Sequence, residues 1–477
     1  MSVSLQRKSS SKYDTPDAKA RVAKAIEELR PVFAERLSVG TAVREQHGHG
    51  EAFARGYPPD AVIWPLSTAD VSHVVKVCNA LSVPVIAFGA GTSLEGHVSA
   101  LYGGICLDMT RMNQVLEVRA DDGDCVVQPG ITREELNSYL RDTGFYFPID
   151  PGANASIGGM ISTRASGTNT IRYGTIAHNV MALEVVLASG EIVRCGNRAR
   201  KSSAGYDLVR LFTGSEGTLG IITEATLRLH GQPEAVGSSV CSFPDLRSAV
   251  DTVVELIQTG APVSRMEFLD ELQVRACNAY SKLSLPEQPT LFMEFMGTEA
   301  AVAEQFERAV DVVKSHGAAG LEWAFDEQRR AALWKARHAA YFAARALRPA
   351  TDCIVADVCV PISRLADCVE KTRAEIDAEG LVAPILGHVG DGNFHVLFLI
   401  DPNNEDERTR MDRVYDSMIE NAHRLGGTCT GEHGIGMGKR DKLIAEFGPA
   451  VVELMRRLKE AWDPNGILNP GKVFDLQ

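Results

Sequence analysis

An α+β fold is what this 477-residue sequence dictates. Short β-branched runs, broken by Gly and Pro, fill residues 57–233 with helical stretches between them. Over residues 234–425 strands alternate with longer helices, in an order that returns each strand to an antiparallel partner and suggests a ferredoxin-like unit. An N-terminal helical segment over 1–56 precedes these two units, and a small helical segment over 426–477 follows them.

The elements follow in order. Ala18–Leu37 is rich in Ala, Glu and Arg and reads as a helix. Strands are expected at Ala61–Trp64, Pro84–Phe88, Gly104–Asp108, Asp124–Gln128, Leu183–Leu187 and Gly220–Thr223, each bounded by turn formers. Helices at Val71–Leu81 and Arg133–Thr143 separate them. Then come helix Leu246–Gln258, strand Thr290–Phe295, helix Glu299–Ser315, a further strand, helix Gln328–Leu347, strand Asp352–Val360 and helix Ile362–Glu379. Strands Pro384–Val389 and Phe394–Ile400 and helix Glu405–Leu425 lead to a last Gly-rich loop and two short helices.

Composition excludes several roles. A net charge of −13 gives no support to nucleic-acid binding, which needs concentrated Lys and Arg. The ten cysteines form no Cys-x-x-Cys pair and read as reduced thiols in a cytoplasmic setting. No apolar run approaches the ~18–20 residues that span a bilayer, so membrane contact is at most peripheral, at the inner membrane. Met1–Tyr13 lacks the hydrophobic stretch of a secretory signal, and Asp14 and Asp17 argue against an organelle-targeting peptide.

The most informative stretch is His388-Val-Gly-Asp-Gly-Asn-Phe-His395, followed by Gly431-Glu432-His433-Gly434. Glycine lets backbone wrap a small charged centre, and imidazole with carboxylate suits zinc or manganese. With Gly390–Asn393 as a four-residue hairpin loop, Val389 faces Phe394 and His388 faces His395. Opposed residues share a face with Cβ atoms about 4.5–5.5 Å apart, which lets both imidazoles reach one ion.

Glycine loops carry a second signal. Phe88-Gly89-Ala90-Gly91-Thr92-Ser93-Leu-Glu-Gly96 follows a strand directly, and such a turn exposes N–H groups to an anion. Its spacing fits neither Gly-x-Gly-x-x-Gly nor a P-loop, since His97 stands where the latter needs Lys. Further small-residue loops occur at Asp150–Ser162, Ala165–Thr168, Arg172–Gly174 and Phe212–Ile222. Together they suit the lining of a groove for a large, flat, phosphate-bearing cofactor.

These loops resemble the FAD-binding domain of the vanillyl-alcohol oxidase and p-cresol methylhydroxylase flavoproteins. The second half resembles the FAD-linked D-2-hydroxy-acid dehydrogenases, most closely the D-lactate dehydrogenases that reduce cytochrome or quinone. Trp334–Arg337, Asp357–Pro361, Gly387–His395, Gly427–Lys439 and Asp463–Lys472 carry that likeness.

The resemblance implies FAD with its pyrophosphate against Gly89, Ala90, Gly91, Thr92 and Ser93, and with Ala87, Phe88 and Gly96 also at the cofactor. Some relatives attach FAD through a His or Cys, but this loop has neither and His97 lies beyond it, so the FAD is expected to be dissociable. The resemblance also implies a groove lined by Pro151, Ser156, Ile157, Gly158, Gly159, Gly167, Tyr173, Gly217, Ile222 and Asn469, with residues 426–477 returning to the FAD site. In relatives a divalent metal, here Zn²⁺ or Mn²⁺, is held by the residues matching His388, His395 and Glu432. The residue matching His433 is the general base, and the one matching Arg337 grips the substrate carboxylate. Val355 stands where 2-hydroxyglutarate dehydrogenases carry a lysine, which favours a small substrate. Glu267 and Glu294, on strand-like runs, have two readings: carboxylates that orient a metal histidine, or domain-surface residues.

The function expected is oxidation of D-lactate to pyruvate by hydride transfer to flavin, with cytochrome c or a quinone as acceptor; a homodimer is compatible with the sequence. The rivals are a dehydrogenase for 2-hydroxybutyrate, glycolate or 2-hydroxyglutarate, an alkyl-glycerone-phosphate synthase-like FAD transferase, and a non-catalytic flavin-binding subunit.

Overall fold

Four β-sheets build the described part of the chain. Its computed structural model describes Tyr13, residues 15–51 and residues 56–475. The opening residues read above for targeting lie, apart from Tyr13, outside the described residues. The chain divides into two compact units. Of the described residues, one unit takes in those up to Ser166, Thr175–Gly231 and those from Glu432 on; the other takes in Gly167–Gly174 and Gln232–Gly431.

In the first unit, parallel strands Ala61–Ile63, Ile105–Asp108 and Val85–Phe88 lie side by side, with Leu37–Ser38 antiparallel at one edge. Helix Thr68–Leu81, capped by Ser67, buries Val71, Val74, Val75 and Cys78 with those strands in one apolar cluster. This i, i+3, i+4, i+7 spacing is what brings a single helix face to a sheet. Beside the strand that ends at Phe88, Val85 N–H donates to Ile467 O and Asn469 N–H to Val85 O, so C-terminal residues extend that edge. A second, five-stranded antiparallel sheet runs in the order Val115–Arg119, Asp124–Val127, Ile221–Arg228, Val180–Val186, Ile192–Gly196. Its apolar face meets Ile157, Met160, Ile161 and Phe212 in a second cluster.

In the second unit all seven strands are antiparallel. Their spatial order is Ala319–Ala324, Ala235–Ser242, Thr290–Gly297, Val263–Leu269, Ile385–Gly387, Asn393–Ile400, Asp352–Cys359. The first four, numbered along the chain, run fourth, first, third, second. With Leu246–Gln258 and Glu299–Ser315 as crossovers, that is the ferredoxin-like arrangement expected from the alternation. The other three strands widen the sheet on the side of Val263–Leu269.

Three local expectations are corrected. The hairpin register is shifted: His395 pairs with Leu386, not His388. Val389–Asp391 forms a tight 3₁₀ turn closed by left-handed Gly392, so His388 lies beyond the strand end. A Cβ at Gly392 would stand 2.1 Å from Val360 O, which is why this turn takes glycine. Half of the Asp150–Ser162 loop is helical, Ile157–Thr163, with Ile157 N–H bonded to Ile131 O and Gly158 N–H to Pro129 O. The helix expected over Gln328–Leu347 is interrupted at Ala339, giving Glu327–His338 and Ala340–Leu347. Helix Glu271–Ser281 was not anticipated. All ten cysteines are free thiols. Among the described residues, no helix is long and apolar enough to cross a membrane.

Candidate active site

Within the second unit, strand alternation fixes the site. Asp357 and His395 are direct partners across adjacent strands, so their side chains share a face. His395 Nδ1 lies 3.4 Å from Asp357 Oδ1. Asp357, fully buried, also accepts from Asn393 Nδ2 at 2.6 Å, Thr430 Oγ1 at 2.9 Å and the Gly431 N–H at 2.8 Å. One carboxylate thus holds the histidine strand and the chain immediately before Glu432. Val355, two residues from Asp357 on its strand, faces the same side.

His388 Nδ1–H donates to Glu267 Oε1 at 2.7 Å. The Glu267 carboxylate has no solvent exposure, and its other oxygen takes an ion pair from buried Arg337. Burial pushes the Glu267 carboxyl up, but the Arg337 charge and His388 outweigh it and hold it below the usual range. The His388 and His395 rings stand 5.4 Å apart, nearly perpendicular. His388 is hydrogen-bonded to its carboxylate through Nδ1, which leaves Nε2 as its coordinating nitrogen, and Asp357 stands 3.4 Å from Nδ1 of His395. This donor set fits a divalent metal. Glu294, the other carboxylate considered, engages Ser238 and Arg265.

In the first unit, Glu432 Oε2 accepts from Ser166 Oγ at 2.7 Å. His433 Nε2 lies 3.9 Å from Glu432 Oε1. The loop carrying both turns at left-handed Gly434 and is then clasped by Glu216. The Glu216 carboxylate accepts the Ile435 and Gly436 N–H groups at 2.7 and 2.8 Å. Burial pushes the Glu216 carboxyl up, yet His97, 3.3 Å away, and those two N–H groups bring it below its usual range. A Cβ at residue 434 would stand 2.7 Å from Glu216 Oε1 and 2.8 Å from His97 Nε2, so glycine is required there.

The glycine loop after Phe88 is built for close approach. A Cβ at Gly89 would lie 2.2 Å from Ser156 Oγ, and Gly91 has φ +72°. Ser93 Oγ and Ser156 Oγ are buried with no hydrogen-bond partner in the protein. Two orphan hydroxyls in a cradle that side chains would fill are what a phosphate-bearing cofactor needs.

The expected cofactor residues do not share one role. Ile157 is fully buried in the apolar cluster, and Ile222 and Ala87 also pack into apolar clusters. Asn469 spends its amide on His97 O and Glu216 O. Gly167 and Tyr173 belong to the second unit, where Tyr173 Oη lies 4.0 Å from Met296 Sδ. Of the metal and base residues, His388 and His395 belong to the second unit, Glu432 and His433 to the first. Asp357, Glu216 and Ser166 had drawn no role from the sequence. Asp357 and Glu216 lie in the motif stretches, but a single carboxylate among small residues gives no signal of its contacts.

Residues 59–196 match the FAD binding domain family, and residues 232–473 match the C-terminal domain of FAD linked oxidases. The chain is 50% identical to the probable mitochondrial D-lactate dehydrogenase of Danio rerio, over 96% of this chain and 93% of that protein. It is 42% identical to the mitochondrial D-lactate dehydrogenase [cytochrome] of Arabidopsis thaliana, over 94% of this chain and 80% of that protein. Among solved structures, p-cresol methylhydroxylase with substrate bound aligns with a TM-score of 0.76 at 18% identity, covering 96% of this chain and 98% of that one. At that identity the likeness establishes the fold.

Proposed function

The chain belongs to the FAD-linked oxidases, as an FAD-dependent oxidoreductase related to the cytochrome-type D-lactate dehydrogenases, and we propose that it oxidises D-lactate to pyruvate with a divalent metal. The observation that carries this reading is the imidazole pair His388 and His395, each with a buried carboxylate at Nδ1, beside buried Arg337.

His388, His395 and Glu432 would hold Zn²⁺ or Mn²⁺. The ion, when bound, polarises the substrate's hydroxyl and carboxylate oxygens. FAD, when bound, accepts the C2 hydrogen with its electron pair. Ser93, Ser156 and the Gly89–Gly91 turn would receive its pyrophosphate.

This chain's residues do the rest. Arg337 orients the substrate through its carboxylate with a planar fork. His433 removes the hydroxyl proton, so a C2 alcohol becomes a ketone as two electrons leave. Val355 presents an apolar surface to the far end of the substrate. A distal carboxylate there would lose water without gaining a partner, which selects D-lactate over larger diacids.

Cytochrome c or a quinone is the proposed acceptor. The two relatives are mitochondrial proteins by name, which does not match the cytoplasmic placement expected from the sequence.

The test is anaerobic addition of D-lactate to the purified flavoprotein. The flavin should bleach with D-lactate and not with L-lactate. Prolonged chelation should abolish bleaching while FAD stays bound, and Zn²⁺ or Mn²⁺ should restore it. Full activity in protein shown by elemental analysis to be metal-free would sink the metal role.

A further inference from the structure

We propose that Glu267 is a positioning residue shared by the metal-ligand histidine and the substrate arginine, one buried carboxylate setting both. The inference rests on the function proposed above.

A carboxylate withdrawn from water is destabilising unless its oxygens are paired. Glu267 is fully buried, and its two oxygens are divided between different elements. Oε1 meets His388, 121 residues away in sequence, just past strand Ile385–Gly387. Oε2 meets Arg337, 70 residues away, on helix Glu327–His338. Glu267 itself sits in strand Val263–Leu269, fixed on one side by Thr290–Gly297 and on the other by Ile385–Gly387.

Each contact has a chemical consequence. A carboxylate is an acceptor only, so it draws the proton of neutral His388 to Nδ1 and leaves the Nε2 lone pair for a metal. The same carboxylate takes Nη2 of Arg337 and turns the guanidinium. Arg337 Nε is buried without a hydrogen-bond partner in the protein, and is left for the carboxylate of a substrate. Metal grip and anion grip therefore share one anchor.

Glutamine cannot replace it. If the amide oxygen faces Arg337, the NH₂ group faces His388 and favours the tautomer protonated at Nε2, which cannot ligate. Turned over, the NH₂ group faces a guanidinium that has no acceptor.

The experiment compares wild type, Glu267→Gln, Glu267→Asp and Glu294→Gln, all carrying FAD. Metal affinity is measured by chelator competition with Zn²⁺ and Mn²⁺ alone. D-lactate KM is measured at saturating metal with a dye acceptor. Glu267→Gln should weaken metal binding about 10–100-fold and raise D-lactate KM about tenfold or more, with the KM for the dye unchanged. Glu267→Asp should show both effects to a smaller degree, and carries the test if the glutamine variant does not fold. Glu294→Gln, a buried carboxylate of the same sheet with other partners, should show neither. Adding Arg337→Lys to Glu267→Gln should raise KM by less than the product of the two single effects.

Metal affinity and D-lactate KM both close to wild type in Glu267→Gln overturn the proposal. So does a change no greater than that of Glu294→Gln. Wild-type protein that is active without metal overturns the proposed metal role and this inference with it, while D-lactate oxidation by the flavin stands, and that result is seen before any substitution is made.

Discussion

Gly89→Ala isolates the contact between the glycine turn and the cofactor. Gly89 is not in the left-handed region, so alanine strains no backbone there. Its methyl group would stand 2.2 Å from Ser156 Oγ and 3.4 Å from Ser156 Cβ. The hydroxyl must rotate away, at about 0.5–1.5 kcal/mol if it is driven off its rotamer. That oxygen has no partner in the protein, so its loss matters little to the fold and much to a phosphate. A hydrogen bond to a charged group contributes about 1.5–3 kcal/mol, so FAD Kd should rise about 10- to 150-fold. Ser156→Ala should weaken FAD over the same range.

The double variant is the stricter test. Without Oγ the clash is gone and only the tolerable Cβ contact remains, so Gly89→Ala with Ser156→Ala should bind FAD as Ser156→Ala does. The assay is fluorescence titration of deflavinated protein with FAD, with thermal unfolding as the check on folding. Wild-type affinity in Gly89→Ala, or a double variant weakened by the product of the single effects, would refute the cradle.

Four further outcomes are expected. His433→Gln should keep FAD and metal yet slow flavin reduction by D-lactate about 10²–10⁴-fold in stopped flow, and a loss below about tenfold removes His433 as base. Arg337→Lys should raise KM for all 2-hydroxy acids together, because lysine keeps the charge and loses the fork. Val355→Lys should instead improve D-2-hydroxyglutarate alone, and a wild type that already prefers the diacid refutes the substrate assignment. Lys472 is fully buried on Ser99 O and Asn469 Oδ1, and burial, with Arg440 adding to it, lowers its amine from 10.5 to about 7. Between those values the unfolded chain holds a proton that the fold does not. Lys472 should therefore add a positive slope to the stability read by urea unfolding between about pH 7 and 10.5, set against the buried thiols, whose raised values act in the opposite sense at the upper end. Lys472→Met should flatten that slope, and an unchanged slope refutes the neutral amine.

The sequence by itself determined what local periodicity can encode. Strand and helix alternation carried the α+β class and the ferredoxin-like reading of the second half, because spacings of two and of three to four residues decide which side chains share a face. The hairpin shows how far this reaches. The register was wrong by two residues, yet a two-residue shift keeps every side chain on its face, so His388 and His395 still stand 5.4 Å apart. Motif chemistry also singled out the glycine turn and the Glu432-His433 loop, and the family resemblance singled out Arg337.

Only the tertiary structure decided which buried groups stand behind them. Glu267 meets partners 70 and 121 residues away, Asp357 gathers Asn393, Thr430 and Gly431, and Glu216 clasps the loop after His433. No spacing along the chain reports such contacts, because they arise where separate elements pack. There a carboxylate out of water must find partners from whichever strand or helix the core brings beside it.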